Sequence, residues 1–166
     1  MEDSTNRTWL TKIEAATFIG DNSSFYLDKW QTHSGSKLKG WNWVSFFFGI
    51  QWMIYRKMYA EAIVYFLFTV VVSIFISMTL KLNFDETYGT ILRTILQIPV
   101  AVFGNALYRN KALRILRKTI HLSEPERLAV LQTKGGVSIV ATVISALLQI
   151  AIGVFLGFLL AFLSGF

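Results

Sequence analysis

From Val137 to Phe166 the chain runs thirty positions without an Asp, Glu, Lys or Arg. Folded as a helix, such a stretch is apolar on every side, so no face is suited to water. A helix rises about 1.5 Å per residue, so roughly 20 residues cross a hydrocarbon layer about 30 Å thick. Residues 137–166 are therefore expected to be a transmembrane helix, and the rest of the chain has to be compatible with a bilayer.

Composition points the same way. Hydrophobic residues make up 54% of the chain and charged ones 16%, against about 25% charged in an ordinary soluble domain. A soluble fold of 166 residues has too little interior to hide that much apolar surface. Residues 60–80 form a second candidate span. Residues 89–108 form a third, weaker because it carries Arg93, Gln97, Pro99 and Asn105; such a span is expected to pack on others rather than face lipid all round.

Residues 41–59 are the most aromatic stretch, and their apolar part, Trp41 to Tyr55, is too short to cross upright. Trp and Tyr favour the headgroup level, where the ring is buried and its polar atom stays wet. An interfacial or re-entrant helix is expected here, with Gly49 as its bend and Arg56 and Lys57 anchoring its cytosolic edge. Residues 1–40 read as a cytosolic helical segment, with Asn22-Ser23-Ser24 as an N-cap and Thr32 to Gly40 as a linker. Residues 109–136 read as a basic cytosolic loop containing helices, with a capping box at Ser123 to Glu126. The fold class expected is all-α, with about three transmembrane helices, the aromatic helix and short cytosolic helices.

Charge sets the expected orientation. Residues 1–57 hold seven Lys and Arg, and residues 108–136 hold seven more. The turn between the first two spans has Lys81 and Arg93 balanced by Asp85 and Glu86. By the positive-inside rule both basic regions face the cytosol, so the N-terminus is inside and the C-terminus outside. Met1 to Leu10 is polar and lacks a signal pattern, so insertion is expected to use the internal spans. The net charge of +6 is assigned to membrane phosphates rather than to nucleic acid.

Each span carries a row of polar or small residues at i, i+4. Glu61, Thr69 and Ser73 on the first, Gln97 and Asn105 on the second and Gln149 on the third make a candidate buried polar layer. Glu61 and Arg109 are placed to pair at the cytosolic end. Ala141, Ser145, Gly153, Gly157, Ala161 and Gly165 form a candidate packing row, since small residues let helices approach closely; it suits packing within the chain or against a second copy. Arg109, Lys111, Arg114, Arg117 and Lys118 form a candidate face for anionic lipid.

Catalytic and metal chemistry finds little to work with. The chain has no Cys and two His, His33 and His121, with no second His at ligand spacing. No Walker loop, G-x-S-x-G or H-E-x-x-H motif is present. No cofactor, metal or catalytic residue is expected.

Phe18-Ile19-Gly20-Asp21-Asn22 with Tyr26 and Trp30, Trp41-Asn42-Trp43 with Phe46-Phe47-Phe48-Gly49, and Trp52 with Tyr55-Arg56-Lys57-Met58-Tyr59 form a distinctive series. Together with Gly104-Asn105-Ala106-Leu107-Tyr108 and Gly135-Gly136-Val137-Ser138, it resembles a bacterial membrane family, domain of unknown function 2628, over roughly residues 18–140. Ile50 stands where that family usually has Pro, which puts a sharp break there in doubt. The zinc ribbon of some relatives is ruled out by the lack of Cys. The resemblance implies a bacterial inner-membrane location and lends no activity. The leading expectation is a non-enzymatic membrane accessory or regulatory protein acting through a protein partner. The alternatives are a component of a small-solute or ion transporter, and a lipid-interacting envelope protein.

Overall fold

The fold is known from a computed structural model, which describes residues 10–21, 23–32, 40–80 and 86–163. Among these residues it is all helix and coil, with no strand. The helices are α1 (Lys12–Ile19), α2 (Ser23–Thr32), α3 (Trp43–Phe48), α4 (Ile50–Tyr55), α5 (Tyr59–Leu80), α6 (Glu86–Thr119), α7 (Glu124–Lys134) and α8 (Ile139–Leu163). Three of them, α5, α6 and α8, are long and apolar enough to cross a membrane. They correspond to the expected spans.

Local chemistry explains most boundaries. Thr11 caps α1 in a reciprocal box: Glu14 N donates to its hydroxyl at 3.1 Å, and Thr11 N donates to the Glu14 carboxylate at 2.8 Å. Ser123 and Glu126 make the expected box at the start of α7. The capping role expected of Asn22 falls outside the described residues.

Two boundaries differ from expectation. The aromatic stretch is two six-residue helices rather than one, each about 9 Å long and too short to cross a bilayer. The sharp break is present without proline. Gly49 makes it with φ +45°, a backbone conformation that L side chains rarely adopt. The second difference concerns residues 109–119. They are not a separate loop but the end of α6, which runs unbroken through Pro99 for 34 residues, or about 51 Å. About 20 residues of such a helix suffice to cross a bilayer, and the basic end beyond them packs against α7.

The buried core gathers at that end. Phe18, Ile19, Tyr26, Trp30, Trp52, Met53, Met58, Tyr108 and Leu131 form one cluster drawn from α1, α2, α4, the turn after α4, α6 and α7. Helix α1 packs on α7 and α2, and the half-buried Arg127 side chain of α7 reaches the buried Glu14 of α1 at 2.9 Å. Beside this pair, Gly136 N donates to Phe18 O at 2.7 Å. The approach needs glycine at the preceding position, because a Cβ on Gly135 would sit 2.0 Å from that same oxygen. The segments before α3 and after α6 thus form one folded cap.

The long helices are organised differently. Helix α5 packs on α4, α6 on α3, and α8 on α4, so the short aromatic pair gathers all three. Helices α5 and α6 also touch directly, through Tyr65 Oη donating to Leu96 O at 2.6 Å and an ion pair between Glu61 and Arg114. The long helices keep apolar, exposed outer surfaces, as at Phe75 of α5, Ile95 of α6 and Phe155 and Phe158 of α8.

Candidate functional site

Arg56 ends α4, and its side chain is turned inward, leaving the residue only 4% exposed. The turn behind it explains why. Lys57 N donates to Ile54 O at 2.9 Å and Met58 N to Met53 O at 2.8 Å, the paired bonds of a Schellman motif. Such a motif needs a left-handed residue, and Lys57 fills that place at φ +55°. Lys111 of α6 donates to the carbonyls of Arg56 and Lys57 at 3.0 and 2.9 Å, and Lys57 Nζ reaches Thr133 O at 3.1 Å. The turn is pinned from two helices, and its geometry sends one cation inward and the next outward.

Three tyrosines surround the buried guanidinium. Its carbon lies 4.6 Å from the Tyr26 ring centre, 5.2 Å from Tyr108 and 5.5 Å from Tyr55, within the range of cation–π attraction. Tyr108 is itself ringed by Phe18, Tyr26, Trp30 and Trp52 at 5.2 to 6.4 Å between centres. Rings can attract a cation but accept its hydrogen bonds poorly. Arg56 Nε and Nη1 are buried with no acceptor among the described residues.

Arg56 forms part of the wall of a cavity of about 580 Å³ between α2, α3, α4 and α8. Gln51 stands on the same wall, one end of its amide against Ser145 Oγ at 2.8 Å and the other unpaired. The rest of the lining is mostly apolar, including Phe25, Val44, Phe48 and Trp52, and it contains no carboxylate.

The sequence-derived candidates fall into separate places. Thr69, Ser73, Gln97 and Gln149 line a second cavity of about 930 Å³ between the long helices, with Arg93. They do not join into a hydrogen-bonded layer: Thr69 and Ser73 each donate to a carbonyl of their own helix, and Gln149 is exposed. Asn105 is elsewhere, bonded to Asn42 and Gly40 beside the cap. Glu61 pairs with Arg114 rather than Arg109, because α6 continues as a helix past the level where a loop was expected.

Of the proposed lipid face, Arg117 and Lys118 are exposed and Arg109 is half-buried. Lys111 is turned into the protein. In the small-residue row, Ser145 meets Gln51, and a Cβ on Gly153 would meet open space. Gly157 and Ala161 lie on α8, and Gly165 lies outside the described residues. No group of three metal-ligating side chains occurs among the described residues.

Sequence reasoning missed the inward role of Arg56, reading it with Lys57 as a membrane-edge anchor. The available signal was Tyr55-Arg56-Lys57-Met58-Tyr59, a cation flanked by aromatic and apolar residues, but hydropathy cannot tell which of two adjacent cations turns in.

The fold and this cavity define a small helical protein in which three membrane-length helices hang from an aromatic, arginine-centred hub. Residues 7–114 match the family described as protein of unknown function, DUF2628, and the chain belongs to that family. The match stops within α6, so the Gly135–Ser138 segment that also suggested the family falls outside it. No curated protein and no solved structure matches the chain.

Proposed function

We propose that this chain is a non-enzymatic, multi-pass accessory protein of the bacterial cytoplasmic membrane, acting through a protein partner. Its N-terminus and cap face the cytosol, and its C-terminus lies outside. One observation carries the reading: buried side chains are concentrated in the cap, around α3 and α4 and on the second half of α6, whereas α5, α8 and the first half of α6 leave most of their apolar side chains uncovered. Helix α8 is the extreme case, exposed at every described side chain from Leu147 onward. Lipid covers such a surface, and so does a helix of another membrane protein. The cap then stands at the inner surface, with Arg117, Lys118 and Lys134 exposed for a cytosolic or membrane partner.

Photocrosslinkers at Leu147, Phe155 and Phe158 in native membranes, followed by purification in mild detergent, test this. One protein should be captured from α8 and should co-purify in fixed ratio. Capture of lipid alone would sink the partner. Because the chain has no Cys, single cysteines at Lys118 and Phe166 report topology; labelling of both from the same side overturns the orientation. The alternative of a lipid-interacting protein is favoured by the cavity at Arg56.

A further inference from the structure

We propose that Arg56 anchors a site for one anionic phospholipid, its phosphate on the guanidinium and part of one acyl chain along the apolar wall of the cavity. The inference rests on the membrane placement above but not on a protein partner.

Arg56 places a guanidinium inside the protein. Arginine stays protonated in proteins, and burying a charge without a partner is strongly unfavourable. Ring contacts offset part of this but leave Nε and Nη1 without acceptors. Glu14 and Glu61 are engaged with other cations, Arg127 and Arg114. The neighbouring charges Lys57 and Lys111 are also positive, and the Lys111 ammonium sits on the Arg56 carbonyl itself. An anion carries the acceptor oxygens that this group of donors, Arg56 Nε and Nη1 with the Tyr108 hydroxyl beside them, does not find among the described residues.

The cavity specifies the remainder of that anion. Its volume of about 580 Å³ is within the usual range for small-molecule sites, about 300–1,000 Å³. Arg56 and Gln51 both stand on its wall, and Phe25, Val44, Phe48 and Trp52 supply much of the apolar remainder. A free inorganic anion would leave that wall uncovered. Val44 and Phe48 are also exposed on the outer surface of α3, beside Trp43 and Phe47. Aromatic residues of this kind sit at headgroup level. A lipid entering from the bilayer would meet the cation with its phosphate while its second chain remained outside.

The test uses the full chain in nanodiscs of phosphatidylcholine containing a minor fraction of phosphatidylglycerol, released into detergent for native mass spectrometry. Wild type should retain one phosphatidylglycerol per chain. Arg56→Gln should lower that occupancy by roughly tenfold or more, the scale of a charge-assisted hydrogen bond. Because Arg56 also supports the core, Val44→Trp provides a second variant: it narrows the apolar wall from an exposed position and should empty the site with Tm unchanged. Retention of phosphatidylcholine at equal occupancy would overturn the proposal, as would full occupancy in a folded Val44→Trp protein. Loss of the lipid in Arg117→Gln/Lys118→Gln would place it on the exposed face instead. Displacement by inorganic phosphate alone would assign the site to a free anion. A chain that enters nanodiscs but retains no lipid defeats this inference only; one that stays in aqueous buffer as a soluble monomer defeats the membrane reading as well.

Discussion

Asn42 and Asn105, 63 positions apart, are joined by a buried hydrogen bond of 2.8 Å from Nδ2 of the first to Oδ1 of the second. The bond belongs to a seam between α3 and α6. Asn42 N donates to Ala101 O at 2.9 Å, Ser45 Oγ donates to Val100 O at 3.1 Å, and Asn105 Nδ2 donates to Gly40 O at 3.2 Å. Asn42 also caps α3 by accepting from Ser45 N at 3.0 Å.

Removing one amide from this seam strands its partners in a buried site. Asn105→Leu should cost roughly 1–3 kcal/mol, the usual penalty for an unsatisfied buried polar group, and lower Tm in detergent. Asn42→Ala should cost a similar amount, with the cap lost as well. The double variant should lose less than the sum, since both single changes break the same bond. Additive losses would show that the two amides act independently.

The Glu14–Arg127 pair joins the first helix of the cap to α7 across 113 positions at 2.9 Å, with both side chains largely buried. Arg127→Ala removes a cation from a buried carboxylate that keeps its bond from Thr11 N, a change worth up to roughly 3–5 kcal/mol. Limited proteolysis should then cut between α6 and α7 far faster than in wild type, while far-UV circular dichroism keeps the signal of α5, α6 and α8. Unchanged protease resistance would show that the cap is held elsewhere.

Lys57 occupies a left-handed position that costs a non-glycine residue roughly 1–2 kcal/mol. Lys57→Gly should relieve that cost and remove only the exposed bond to Thr133. The expected result is equal or higher Tm, while Lys57→Val, β-branched at the same φ, lowers it. A marked fall with glycine would mean that the lysine ammonium matters more than the backbone.

Gly135→Ala places a methyl group 2.0 Å from Phe18 O, where the closest atoms are backbone and cannot swing aside. The 135–136 segment should move off α1, with loss of the Gly136-to-Phe18 bond. Hydrogen exchange at the Gly136 amide should rise by orders of magnitude relative to wild type. Protection at the wild-type level would show that the approach relaxes at little cost.

Periodic and compositional features were legible before the structure. The three long apolar stretches, the capping box at Ser123 and the bend at Gly49 each depend on residues close together in the chain. The candidate site was legible only in fragments. Thr69, Ser73, Gln97 and Gln149 do line one cavity, but their i, i+4 rows said nothing about how far apart the helices stand. The pairing of Glu61 was misassigned to Arg109 for a related reason: where a helix ends decides which turn of it is opposite a given partner.

The sequence by itself determined that this chain is helical, that three segments suit a hydrocarbon layer and that its cations cluster in two regions, because hydropathy and charge act residue by residue over short range. Only the tertiary structure decided that Arg56 turns inward while Lys57 turns out, that Lys111 is withdrawn from the surface to hold that turn, and that Asn105 meets Asn42. Those choices depend on which distant carbonyls and rings arrive beside each side chain, and burial without an acceptor becomes visible only once every neighbour is in place.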